Sequence, residues 1–280
     1  MVKTCILNVP ILDRRTCERI IADAFATMER RDFVPKIREV IQRTLDAGAR
    51  ALIPDFHIFV TGYAQFFNAE TTQCNDVTFA IVPYGSERTL LTQERRRSYN
   101  SIALTLNAKL RQAVQSFPAT QVTWIDYDDT FEGHRYCDRV EPTPDDPQTW
   151  FFEFYTKIDP PPVKVAIPDV FKRQSISAAP LPNDHPMMRL LAKAGFYDPK
   201  KADTPNHGAT SNAKNDGDMV EALFKAAGND PEMVKAASDY FRIFHPKSPG
   251  HSEIRRVLLP EIVNRFPGLQ RQVIGSETYR

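Results

Sequence analysis

Across 280 residues there is no apolar run near the ~20 residues that a membrane helix requires. Nor is there an excess of either charge: 36 Lys+Arg oppose 35 Asp+Glu, a formal net charge of +1. A chain so balanced has no general field to gather phosphate backbones or anionic lipid, which argues against nucleic acid and membrane surfaces as partners. The segment Met1–Pro10 has too short an apolar stretch for a secretory signal. Glycine is scarce, at 11 against 22 prolines, and no segment repeats. The four cysteines, Cys5, Cys17, Cys74 and Cys137, include no CxxC pair. His134 and Cys137 are the only closely spaced metal-ligand types, a thin basis for a zinc site. Three disulfide pairings, or buried free thiols, stay open. What is present is an ordinary globular composition, with 18 Phe and 9 Tyr to fill a core. The length suits one large domain or two small ones.

The pattern along the chain is α/β. Thr16 or Asp13 can cap a first helix whose apolar face is Ile20, Ile21, Ala24, Phe25 and Met28. Pro35 interrupts, and a second helix with Ile37, Val40, Ile41 and Leu45 ends near Ala47-Gly48. The run Phe56–Tyr63 reads as a buried strand. A long helix from Glu87 to Phe117 presents Tyr99, Ile102, Leu106, Leu110 and Val114 on one face. Its Arg95-Arg96-Arg97 run reads as a solvated face rather than a binding patch. After Pro118, Val122–Tyr127 is a second strand, and strand, helix, strand at this spacing predicts parallel neighbours joined by a crossover. Two strands are few for an open α/β sheet, so strands belonging before Met1 are expected.

From Asp138 to Pro186 the periodicity dissolves into a stretch holding ten prolines, including Pro160-Pro161-Pro162. Inside it Trp150-Phe151-Phe152-Glu153-Phe154-Tyr155 is aromatic enough to dock on something. Lys200–Asp218 is polar. The whole of 138–218 is read as an insertion or lid within a single domain spanning 1–280. Helices return at Met219–Ala227, Pro231–Phe241 and from Pro249 onward.

The segment Phe244-His245-Pro246-Lys247-Ser248-Pro249-Gly250-His251 carries the most chemistry. Ser248 suits an N-cap and Pro249 the first helical position, so His245 stands in a loop just before a helix. A His there can serve as a general base if a nucleophile lies within hydrogen-bond reach. From pattern alone, a His that satisfies local backbone groups is the plainer reading. His57, His185 and His207 read as structural or solvated. His134 follows the second strand, where α/β ligand sites gather.

Several segments together resemble fungal members of the SGNH (GDSL) hydrolase family. They are Phe59-Val60-Thr61-Gly62-Tyr63-Ala64-Gln65-Phe66-Phe67-Asn68, Gln73-Cys74-Asn75, Trp124-Ile125-Asp126-Tyr127, Phe131-Glu132-Gly133-His134-Arg135-Tyr136-Cys137, and Phe244-His245-Pro246 through Gly250-His251. The resemblance covers about residues 5–140 and from 230 to the end. It implies a flavodoxin-like three-layer α/β/α fold and a serine ester hydrolase (esterase or lipase) acting on lipid or acylated-carbohydrate esters, without metal or other cofactor. It implies His245 as the catalytic His and an extracellular location. Through that secreted ancestry it implies the disulfides Cys5–Cys17 and Cys74–Cys137.

The chain departs from the family pattern in two places. An Asp usually precedes the catalytic His by three residues; here that position is Arg242, and Asp239 is the nearest acid upstream. No Gly-Asp-Ser occurs in these residues, and Ala227-Gly228-Asn229-Asp230 stands in the wrong order for the Gly-Gly-Asn-Asp block. It reads instead as a helix C-cap followed by an N-cap before Pro231. Met1 falls about where the family chain has just left the Asn block. The expectation is a family member inactive as given, and the competing reading is a non-catalytic binding or interaction protein with Trp150–Tyr155 as its contact surface.

Overall fold

In a computed structural model, which describes residues 5–6, 16–77, 90–138, 148–151, 184–201, 210, 216–242 and 245–269, Thr16 caps the first helix. Its hydroxyl accepts from the Arg19 N–H at 3.3 Å and starts α1 (Cys17–Met28). The break before α2 (Phe33–Arg50) lies ahead of Pro35, not at it. Pro35 occupies the first turn, where a missing N–H leaves no intrahelical bond unmade. Helix α2 also runs past Gly48. A Cβ at that residue would stand 2.4 Å from the Phe56 ring, so the glycine serves close packing rather than a helix end.

β1 (Ile58–Thr61) and β2 (Val122–Ile125) pair in parallel, Ile58 opposite Val122 and Thr61 opposite Ile125. Helix α3 (Gln93–Val114) connects them. Alternation along the strands divides their side chains between two faces. Ile58, Val60, Val122 and Trp124 join Val34, Ile41, Ala113 and Val114 beneath α2 and α3. His57, Phe59 and Thr123 take the other face, where the C-terminal end of α7 (Ser248–Arg265) arrives. There Arg265 Nε donates to His57 Nδ1 at 3.1 Å, and His57 Nε2 meets the Thr123 hydroxyl at 2.9 Å.

The face of α3 differs from the apolar stripe expected for it. Tyr99 and Val114 are buried, but Ile102, Leu106 and Leu110 are only half-buried. The deepest positions include the polar Arg96, Asn100 and Asn107. Arg96 is fully buried, which corrects its reading as part of a solvated run; Arg97 alone of the three arginines is well exposed. The cause is that α3 packs along an irregular chain segment whose backbone needs polar partners.

Most of 138–218 lies outside the described residues. One part forms a helix that the pattern did not announce, α4 (Pro186–Lys193), which packs with α5 (Asp216–Ala227) and α6 (Pro231–Arg242). Met187, Met188, Leu190 and Leu191 supply its core side. Between α5 and α6, Gly228 takes φ +56° and Asp230 Oδ1 accepts from the N–H groups of Glu232 and Met233. The Gly-Asn-Asp run is therefore a cap pair, as read from the sequence. Helix α7 starts one residue earlier than expected, with Lys247 at the N-cap and Ser248 inside the helix.

Candidate functional site

The chain leaves both strands on the same side, and those two exits build the site's frame. Gly62 follows β1 between Trp124 and Asn107; a Cβ there would approach them to 3.0 and 3.1 Å. The next residues run along α3 and are held by its amides. Asn107 Oδ1 accepts from the Tyr63 N–H at 2.8 Å while its Nδ2 donates to the Tyr63 carbonyl at 2.8 Å. Two helical turns earlier, Asn100 does the same to Phe67, at 3.3 and 2.7 Å. Arg96 continues the row. Its guanidinium donates to the carbonyls of Leu91, Asn68 and Thr71, the Thr71 hydroxyl and Asn75 Oδ1. No carboxylate is among those partners, and burial lowers its pKa.

From the β2 side, a 3-10 turn (Asp128–Phe131) places a buried carboxylate against the same segment. Asp128 accepts from the Gln65 N–H and the Gln65 Nε2, each at 2.7 Å, and pairs with Arg135 at 3.1 Å. Phe67 and Tyr136 then form a parallel bridge, and Asp138 joins Asn68 Nδ2 to the Arg135 N–H. The Cys74–Cys137 disulfide, Cα atoms 5.8 Å apart, closes this frame. Cys5–Cys17 forms the other, at 4.9 Å, and the Tyr99 hydroxyl donates to the Cys5 carbonyl at 3.1 Å. Burial raises the Tyr99 and Tyr127 hydroxyls to about 12; for Tyr127 the neighbouring Tyr63, Asp128 and Asp126 add to it.

His245 is exposed, and its neighbours tie its loop to the segment after β2. Pro246, next to it, forms an antiparallel bridge with Phe151, and the Lys247 N–H donates to the Trp150 carbonyl at 2.7 Å. Phe151 is buried and stacks on Phe131 at 4.7 Å, directly after β2. Gly250, in the first turn of α7, allows the helix to sit on Phe131: a Cβ there would stand 3.1 Å from the ring. The structure thus brings the His245 loop to the strand exits. The side chains of Asp239 and Arg242, weighed as partners for His245, lie outside what is described.

His134 is stacked flat on Trp150, ring centroids 3.5 Å apart and 7° from parallel. Its Nδ1 lies 2.8 Å from the Gln148 carbonyl and must carry the donated proton. The thin zinc reading of His134 with Cys137 fails, because a disulfide sulfur is no thiolate ligand. Among the described residues no group of three metal-ligating side chains occurs. Phe151 is buried and Trp150 half-buried against the core, and residues 152–155 lie outside the described residues. His207 lies outside them as well. His185 caps α4, its Nδ1 accepting from the Met187 N–H at 3.1 Å. Among the described residues no helix is long and apolar enough to cross a membrane.

Sequence reading missed Asn100, Asn107, Arg96 and Asp128. The available signal was the position of two asparagines seven residues apart on the Tyr99–Ala103 face of the helix, the side that carries its aromatic and small apolar residues. Such residues in a helix core are unfavourable unless they serve a backbone outside the helix. In comparisons with family models, curated proteins and solved structures, nothing matches this chain.

Proposed function

We propose that this chain carries the His-bearing part of an SGNH/GDSL-type ester-hydrolase scaffold, with a flavodoxin-like three-layer α/β/α arrangement. The supporting observation is the placement of His245. A parallel strand pair, and a His-Pro loop joined through Phe151 and Phe131 to the segment after β2, support the reading, since open α/β folds bind ligands beyond the carboxyl ends of their strands. In that chemistry a Ser attacks an ester carbonyl, His245 takes its proton, and backbone N–H groups hold the oxyanion. The substrate is an ester of a lipid or an acylated carbohydrate. The two disulfides are of the kind that persists in oxidising compartments, which supports an extracellular setting.

These 280 residues contain no Gly-Asp-Ser. A triad without its nucleophile loses on the order of 10⁶ in turnover. The chain as given is therefore expected to leave a chromogenic short-chain ester uncleaved above buffer. The decisive test is the coding sequence in frame upstream of Met1. Gly-Asp-Ser followed by Gly-Gly-Asn-Asp there, with esterase activity of the extended chain lost on His245→Ala, bears the reading out. Activity of the extended chain that survives His245→Ala overturns it. So does activity of the 280-residue chain alone that depends on His245, since that requires a nucleophile of another kind. For the alternative, a non-catalytic binding protein with Trp150–Tyr155 as its contact surface, the described members offer the half-buried Trp150, while Phe151 is buried.

A further inference from the structure

The His245 loop is not held by its own helices alone. Lys247, just beyond it, is buried, and its N–H is bound by the Trp150 carbonyl. The Trp150 N–H is in turn bound by the His134 carbonyl at 2.9 Å. Trp150 therefore stands as a single-residue link between the loop after β2 and the loop before α7. Two contacts fix that link: the His134 ring lies flat on the indole, and His134 Nδ1 donates to the Gln148 carbonyl two residues before. The next residue, Phe151, is locked by Phe131 and by Phe66, whose ring lies 5.2 Å away.

We propose that His134 and Trp150 are positioning residues for His245. The stacked pair clamps the 148–151 strap, and the strap's backbone holds the His245–Lys247 turn over the end of β2. Its meaning for catalysis rests on His245 being a site residue, but the clamp is a property of this chain and is testable without turnover.

The physical case is one of local stability. A loop tied down by few hydrogen bonds opens by itself, at a free energy below that of global unfolding. Here two ties, the Lys247 N–H on the Trp150 carbonyl and the Phe151–Pro246 bridge, run through adjoining residues of the strap, so the Trp150 side chain bears on a backbone bond made ninety-seven residues further along, at Lys247. The hydrogen bond to the Gln148 carbonyl sets the His134 tautomer, and together with the stack it fixes the ring in rotation as well as in plane.

The test is amide exchange at Lys247 together with the imidazole carbon-bound proton resonances of His245, in the full 280-residue chain. Trp150→Ala should speed Lys247 exchange by on the order of tenfold and shift the His245 resonances, with β2 amides keeping their rates. Trp150→Phe, which still offers a ring to His134, should restore both. Unchanged Lys247 exchange and His245 resonances in Trp150→Ala overturn the proposal. Should Trp150→Ala not fold, the half-buried His134→Ala decides: faster Lys247 exchange supports the clamp, and unchanged exchange overturns it. Failure of the hydrolase reading would show in the esterase assays and leave these readouts untouched.

Discussion

The Asn107 side chain grips both backbone groups of Tyr63, accepting from its N–H and donating to its carbonyl, each at 2.8 Å. An amide is the one uncharged side-chain group that can mimic a neighbouring strand in this way. Asn100 repeats the grip on Phe67, so the segment after β1 is paired to a helix as though to a sheet. Replacing Asn107 by Leu should strand two backbone groups and cost about 2–6 kcal/mol, taking ~1–3 kcal/mol for each unsatisfied group. Urea unfolding measures this; a loss below about 0.5 kcal/mol would mean that water replaces the amide at no penalty.

Gly48→Ala tests a close approach. In an unobstructed helix the change stabilises by about 1 kcal/mol. Here the new Cβ meets the Phe56 ring at 2.4 Å, so the variant should instead lose about 1–3 kcal/mol to overpacking. Adding Phe56→Leu should return part of that loss, and thermal melts of the single and double variants read both effects.

The two disulfides should differ in worth. Loop closure over 63 residues, for Cys74–Cys137, corresponds to about 4 kcal/mol, and over 12 residues, for Cys5–Cys17, to about 3 kcal/mol. The Cys74→Ala/Cys137→Ala pair should therefore melt lower than Cys5→Ala/Cys17→Ala. The reverse order would show that local contacts, such as the Tyr99 hydroxyl on Cys5, outweigh chain entropy.

Acid should loosen the α4 end of the molecule through His185. Burial brings its pKa down to about 4 from 6.5, and protonating Nδ1 would also break the cap on Met187. Between those pH values the unfolded chain holds the proton and the folded chain does not. The contribution is thus complete above pH 6.5 and is lost as pH falls toward 4. His185→Asn keeps a capping acceptor without a titrating group. Its unfolding free energy should fall less steeply than the parent's over that window; parallel profiles would remove His185 as the cause.

The sequence by itself determined the elements whose signals are local. Helices α1, α3, α5 and α6 and both strands follow from apolar periodicity, and Gly228 with Asp230 from cap chemistry, because each depends only on residues a few positions away. The parallel pairing followed from spacing. Only tertiary structure decided which face of α3 is buried and why. Asn100, Asn107 and Arg96 look like surface residues until the chain after β1 is laid along them, and apart from Leu91 their partners stand 21 to 44 positions away. The same holds at Gly48, which signals a helix end in sequence and a ring contact in space. It holds again at the His245 loop, whose position depends on Trp150 and His134, about a hundred positions earlier in the chain and joined by a stack that no local pattern encodes.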